Sequence, residues 1–369
     1  MTGNAALARA LAQCIASELT FAAFRLPGQA VEIWAQRDPA LEKVDGDLLW
    51  ELNEVFLLLP FQVDRRQVAY IRSDVELYFG EIDPDVDQLL ACRGAAFTGG
   101  ALPGSTPKEE HLRLIGLARQ AIQTGHLEKV VLARTFATDL ERDALKDLFL
   151  RVCDDHPTAF AALIHDPEHG FWCGISPEQL VDEEEDRVTI DALAGTRIGS
   201  TAGGTTAEWG TKEQHEQSVV RDHIVRTLHA LHVREVQQTR PEVLHAGGVE
   251  HLHTRITADL AGHALSELVL ALHPTPAVCG SPTREAQDFI RMYEAHDRGL
   301  YAGAWGPWNP DGRTRLFVNI RCLQQRGRNA VLHAGGGITL GSDPEAEWRE
   351  TEAKLRTLLS PIEALRPSR

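Results

Sequence analysis

Apolar and polar positions along this chain follow two periods, segregated into blocks. Three stretches repeat at the helical spacing of three and four residues. The first is predicted to open at Thr106, with Pro107 at the next position and Glu109 closing a capping box. Leu114, Ile115, Ala118, Ala121 and Ile122 supply its buried stripe, and Gly125 ends it. A second opens at Thr211 with a T-x-x-Q box to Gln214, and its stripe is Val220, Ile224, Leu228 and Leu231. A third opens at Ser342, with Pro344 and Glu345 in its first turn, and buries Trp348, Leu355 and Leu359. Short β-rich runs lie between them, at 129–136, 171–176, 187–190, 251–260, 315–320 and 330–333. Strands that cluster, without strict strand–helix alternation, predict an α+β fold with large antiparallel sheets and not a doubly wound nucleotide fold. Glycine- and proline-rich loops are expected at 94–107 and 199–210. The first of these separates a sparsely marked part, 1–105, from a motif-bearing part, 106–365.

Composition narrows the function more than the fold. The net charge of −16 argues against nucleic acid and anionic membranes, which both need a basic face. A small anionic substrate is still allowed, because a few lysines and arginines in one cleft outweigh a distant repulsive field. The six cysteines are scattered with no CxxC pair, as expected of reduced, mostly buried thiols in a cytoplasmic protein. The apolar patch at 5–12 is broken by Arg9, and Gln13 and Glu18 follow at roughly helical spacing. An amphipathic first helix fits this better than a signal peptide, and no apolar run is long enough to span a bilayer.

Several residues stand out as candidates for chemistry, each beside a plainer reading. Lys129 heads an apolar strand on the side of Val131, Ala133 and Thr135. Held against that face it would have a lowered pKa and serve as a base; otherwise it is a strand-start lysine reaching water. Glu178, after a strand and a proline, is either aimed into a cleft or a turn residue. Glu216 lies on the core-facing stripe of the second helix, so its carboxylate needs a metal, a base or a hydrogen-bond donor. Glu347, Glu350 and Lys354 share one face of the third helix, as a solvated ion pair or as oxygen ligands for magnesium. The glycines of 334–338 form either an anion-binding nest or a hairpin. Arg321 ends a strand and is suited to a carboxylate or to a surface ion pair. His251 and His253 alternate along a strand without zinc spacing.

Taken in order, these pieces resemble the chorismate-utilising enzymes: anthranilate synthase component I, aminodeoxychorismate synthase, salicylate synthase and isochorismate synthase. The resemblance rests on KVVLAR (129–134), GISPEQL (174–180), ALAGTR (192–197), KEQHEQ (212–217), HLHT (251–254), HPTPAVCG (273–280), DRGLYAGAWG (297–306), VNIRC (318–322), AGGGI (334–338) and EWRETEAK (347–354). It covers residues 107–365, and Gln217 departs from it where many of these enzymes have histidine. It implies one chorismate-binding domain over 1–369, with two stacked sheets flanked by helices. It implies Lys129 as the base that activates water and Glu178 as the general acid. Glu216, Glu347 and Glu350 would hold Mg2+. Ala194, Gly195, Thr196, His251, Thr254, Arg321, Gly335, Gly336 and Lys354 would surround the substrate.

Aminodeoxychorismate synthases carry a nucleophilic lysine where this chain has Ala194, which leaves water or ammonia as nucleophile. HPTPA (273–277) looks like isochorismate synthases. The expected activity is therefore isochorismate synthesis, an isomerisation of chorismate. The alternatives are a salicylate synthase, an ammonia-using anthranilate or aminodeoxyisochorismate synthase, and a silent chorismate-binding protein. No amidotransferase partner is expected, and the chain should be a monomer or a weak homo-oligomer.

Overall fold

In the strand Phe160–Asp166 every residue is buried, and alternation sends successive side chains to opposite faces. Phe160, Ala162 and Ile164 join one apolar cluster, while Ala161 and Leu163 join another. The strand Phe21–Arg25 divides in the same way, with Ala22 and Phe24 on one side and Phe21 and Ala23 on the other. Strands that are apolar on both faces belong to a sheet covered on both sides.

That sheet has nine strands in the computed structural model, which describes residues 3–198, 209–246, 249–260 and 265–366. Its order is 280–281, 129–139, 329–338, 322–326, 170–176, 160–166, 21–25, 31–35 and 75–78. A second sheet of ten strands runs 234–238, 249–259, 187–198, 179–184, 313–318, 304–308, 55–59, 68–72 and 42–44, with 242–246 also paired to 249–259. Among the described residues every strand pairing is antiparallel.

The sheets meet through aromatic pairs. Phe160 stacks on Phe317 at 4.1 Å, and Phe24 meets Phe56 at 5.3 Å. Helices Gly3–Ala16, Leu145–Asp155 and Pro344–Leu365 cover the outer face of the first sheet. Helix Thr211–Ala230 lays Val220, Ile224 and Leu228 into the other cluster, as its stripe predicts. The part before residue 106 supplies three neighbouring strands at one end of each sheet. The motif-bearing strands lie at the opposite ends.

The fold is thus the expected α+β arrangement of two stacked antiparallel sheets, with corrections at the predicted boundaries. The first helix is Lys108–Gln123 with no side-chain cap, because the Thr106 hydroxyl pairs with that of Thr135 at 3.0 Å. Thr211 is already inside its helix; Gly210 takes the cap position, and Gln214 donates to the carbonyl of Trp209 at 2.8 Å. Asp343, not Ser342, caps the last helix by accepting from the Ala346 amide at 2.8 Å. Local polar side chains have several backbone partners within reach, and strand contacts chose among them. The glycine segment is neither nest nor hairpin. It continues the strand Asn329–Ile338, pairing Gly335 with Ala133, Gly336 with Leu132 and Gly337 with Val131. Most of the loop predicted at 199–210 lies outside the described residues.

Candidate active site

A cavity opens between the motif-bearing ends of the two sheets. Its wall brings together Glu178, Ala194, Thr196, Glu216, His251, Arg321, Gly335 and Lys354, residues spread over 177 positions of sequence.

Lys129 is fully buried and does not reach water, so the plain reading of a strand-start lysine fails. Its Nζ lies 3.0 Å from Glu216 Oε1, which faces the cavity. The contact is a buried ion pair, chiefly Coulombic. Burial alone would raise the Glu216 carboxyl, but Lys129 and Lys212 outweigh it and hold the group ionised. The strand makes room for this pair at Gly337, where a Cβ would stand 2.0 Å from Glu216 Oε1 and 3.0 Å from Lys129 Cε.

Glu178 follows the strand Gly170–Ser176 past Pro177, and its amide donates to the Ser176 hydroxyl at 3.1 Å. Its side chain is 3% exposed. Burial, and then the like charge of Asp191, push its carboxyl up to about 8, against the opposing pull of Lys129, Lys354 and Arg321. It therefore stays protonated at neutral pH, the state a proton donor needs.

Arg321 takes a positive φ of 48°, a costly conformation for a residue with a Cβ, and is buried rather than at the surface. Its guanidinium donates to Thr357 Oγ1 at 3.2 Å and to His251 Nε2 at 3.1 Å. An arginine only donates, so His251 Nε2 accepts and its proton sits on Nδ1, donating to Thr196 Oγ1 at 3.1 Å. Burial, Arg321 and Lys354 hold His251 well below its ordinary range, in the neutral form this chain of contacts requires. The Thr196 hydroxyl proton is then left for a ligand.

Lys354 Nζ bridges Glu350 Oε1 at 2.7 Å and the Gly335 carbonyl at 2.8 Å. In an antiparallel strand one residue's amide and carbonyl point the same way, and the direction alternates. The Gly335 and Gly337 amides therefore turn away from the Lys129 strand, toward the cavity, and both residues line it. Gly336 pairs with Leu132, and of the two glycines expected near a substrate only Gly335 lines the cavity, with Gly337 beside it.

Of the three carboxylates expected to hold a metal, each is held by a lysine. Glu216 meets Lys129, Glu350 meets Lys354 at 2.7 Å, and Glu347 meets Lys212 at 2.5 Å. Among the described residues no group of three histidine, cysteine, aspartate or glutamate side chains is already gathered as a metal site. The three carboxylates nevertheless act on a common neighbour. Lys212 is driven up, burial notwithstanding, by Glu347, Glu216 and Glu350 together. Glu347 Oε2 is buried without a partner. Burial, then Glu350, push the Glu347 carboxyl up to about 7 despite Lys212. Carboxylate oxygens, one of them a buried acceptor with no partner, are the donor type that a divalent ion takes.

Lys129, Gly195, Thr254, Gly336, Glu347 and Glu350 are not on the cavity wall itself. Gly195, with φ of 72°, marks the bulge after Ala194 and lets the helix at Glu213 approach, since a Cβ there would meet the Glu213 carbonyl at 2.6 Å. Thr254 is buried beneath the site and accepts from Gln217 Nε2 at 2.7 Å. Sequence reasoning missed Lys212, Tyr301, His333 and Gly337. Lys212 had a usable signal, standing one turn before Glu216 on the same helix. It also missed the buried Glu294–Arg298 pair, 2.6 Å apart, which grips the Ala133 amide and the Val131 and Val278 carbonyls behind the wall.

Residues 101–363 match the family model of the chorismate binding enzymes. The chain belongs to this family. Among relatives of the chorismate binding enzymes, it is 36% identical to a protein of Mycobacterium tuberculosis provisionally named isochorismate synthase MenF, over 82% of this chain and 85% of that one. It is 34% identical to isochorismate synthase DhbC of Bacillus subtilis, over 66% and 65%. The solved structure of MenF, the menaquinone-specific isochorismate synthase of Escherichia coli, shares the fold with a TM-score of 0.77 at 22% identity, covering 95% of this chain and 91% of that one. No helix among the described residues is long and apolar enough to cross a membrane.

Proposed function

We propose that this chorismate-binding enzyme is an isochorismate synthase that isomerises chorismate by adding water at carbon 2 and expelling the hydroxyl at carbon 4. One observation carries the reading most: Glu178 is a fully buried acid that stays protonated at neutral pH inside a cavity that also holds Arg321 and Lys354. Ala194 offers no amine at its place on that wall, so the lysine adduct of aminodeoxychorismate synthases is closed there and a small nucleophile from solution is left.

In this reading the cationic groups Arg321 and Lys354, with the Gly335 and Gly337 amides, bind the two carboxylates of the substrate. Lys129, in its neutral amine form, takes a proton from water as the water oxygen bonds to carbon 2. The ring double bonds shift, the bond from carbon 4 to oxygen breaks, and Glu178 gives its proton so that water leaves. Atoms balance: one water enters and one departs, and before the next cycle Lys129 gives its proton back to solvent while Glu178 takes one up. Lys129 lies just behind Glu216, so the Lys129–Glu216 contact has to open for the amine to reach water. Glu216, Glu347 and Glu350 would hold Mg2+, which supplies Lewis-acid polarisation of the ring carboxylate when bound.

The test is incubation of the purified protein with chorismate and Mg2+, with and without chelator, followed by chromatography and NMR of the products. Metal-dependent isochorismate without pyruvate is expected. Salicylate with pyruvate, or an aminated product in ammonia, would assign a different reaction.

A further inference from the structure

His333 lies on the cavity wall with 3% exposure, and neither of its ring nitrogens has a hydrogen-bond partner. Buried polar nitrogens are rarely left that way, because the loss of water is not compensated. Two aromatic rings stack on the imidazole. Trp172 stacks at 5.5 Å and 22°, and Tyr301 at 5.1 Å and 18°. With His296 a further 5.9 Å neighbour, Nδ1 and Nε2 are the ring atoms left without a partner to offer a ligand. Strand alternation puts His333 on the same face as Gly335 and Gly337, whose near neighbours are the Tyr301 hydroxyl and the Lys129–Glu216 pair. Burial and the nearby His296 and Arg298 keep the imidazole neutral, so it offers one donor and one acceptor.

We propose that His333 is a substrate-binding residue, its ring edge exchanging hydrogen bonds with a ring hydroxyl or the ether oxygen of the bound substrate. This rests on the reading that chorismate occupies the cavity. The carboxylates of such a substrate are matched by Arg321, Lys354 and backbone amides. A neutral group that both donates and accepts complements a hydroxyl instead, and holds the ring in register with Lys129 and Glu178.

The experiment is equilibrium binding of chorismate by titration calorimetry, with steady-state kinetics, for wild type, H333F, H333N and H333Q. Phenylalanine keeps the stack between Trp172 and Tyr301 and deletes both nitrogens. H333F is expected to melt no lower than wild type and to bind chorismate about 10-fold more weakly, the equivalent of about 1.4 kcal/mol. KM should follow while kcat changes less. Asparagine returns an amide near Nδ1 and glutamine near Nε2, so one of them should recover most of the affinity. Unchanged binding by H333F in a wild-type background that binds and turns over chorismate would overturn this inference alone, assigning the ring edge to water. Wild-type protein that binds no chorismate would remove this inference and the proposed function together. If H333F fails to fold, the comparison of H333N and H333Q with wild type decides: equal binding by all three argues against contact.

Discussion

Replacing Glu178 by glutamine should stabilise the protein while removing its activity. In the folded state the carboxyl keeps its proton up to about pH 8, whereas the unfolded chain releases it near 4.5. Between those values the unfolded state binds fewer protons than the native state, so stability falls as pH rises through that window. At pH 7 the displacement costs roughly 3 kcal/mol, taking 1.36 kcal/mol for each pKa unit. Glutamine keeps the shape and removes the ionisable group, so the cost disappears. With an unfolding entropy of about 2.1 cal/mol/K per residue, the gain corresponds to a rise in Tm of about 4 °C. Differential scanning calorimetry of wild type and E178Q from pH 5 to pH 8 reads this directly. The two should converge near pH 5 and separate steadily above it, with turnover lost in E178Q throughout. A pair of parallel Tm–pH curves would refute the reasoning, because it would mean that Glu178 ionises alike in both states.

Four further outcomes follow from the same geometry. Gly337→Ala drives a Cβ into Glu216; it should destabilise by about 1–3 kcal/mol and abolish most turnover, checked by thermal melts and kcat/KM. Lys212→Met removes the partner of Glu347; Tm should fall without metal and recover on adding Mg2+, read by calorimetry. Because Glu347 is held near 7, protons compete for it as the pH drops; the Mg2+ needed for half-maximal activity should rise below pH 7 and not above it. Phe160→Ala empties a stacked position between the sheets and should cost about 3–5 kcal/mol in chemical denaturation, with little change in KM at residual activity.

Fold class was readable because apolar alternation and helical stripes are set by burial, and burial here is extensive on both sides of the first sheet. Helix starts were off by a residue or two because Thr106 and Ser342 have backbone and strand partners that no local pattern reveals. Glu216 could be singled out since a carboxylate on a core stripe needs a partner, and the partner turned out to be Lys129, 87 residues earlier. His333 could not: one histidine in a β-rich run carries no sign of the Trp172 and Tyr301 rings that enclose it. The glycines of 334–338 were recognised as special, with 335 and 336 singled out, but their use depends on strand register, and register is fixed by pairing with the Lys129 strand.

The central claim is that water from solution adds at carbon 2 as the carbon 4 hydroxyl departs. Turnover of chorismate with Mg2+ in 18O-labelled water, followed by mass spectrometry and NMR of the product, tests it most directly. The account predicts isochorismate carrying one 18O in the hydroxyl at carbon 2, with no pyruvate released. Unlabelled product, or label found anywhere other than carbon 2, would contradict it.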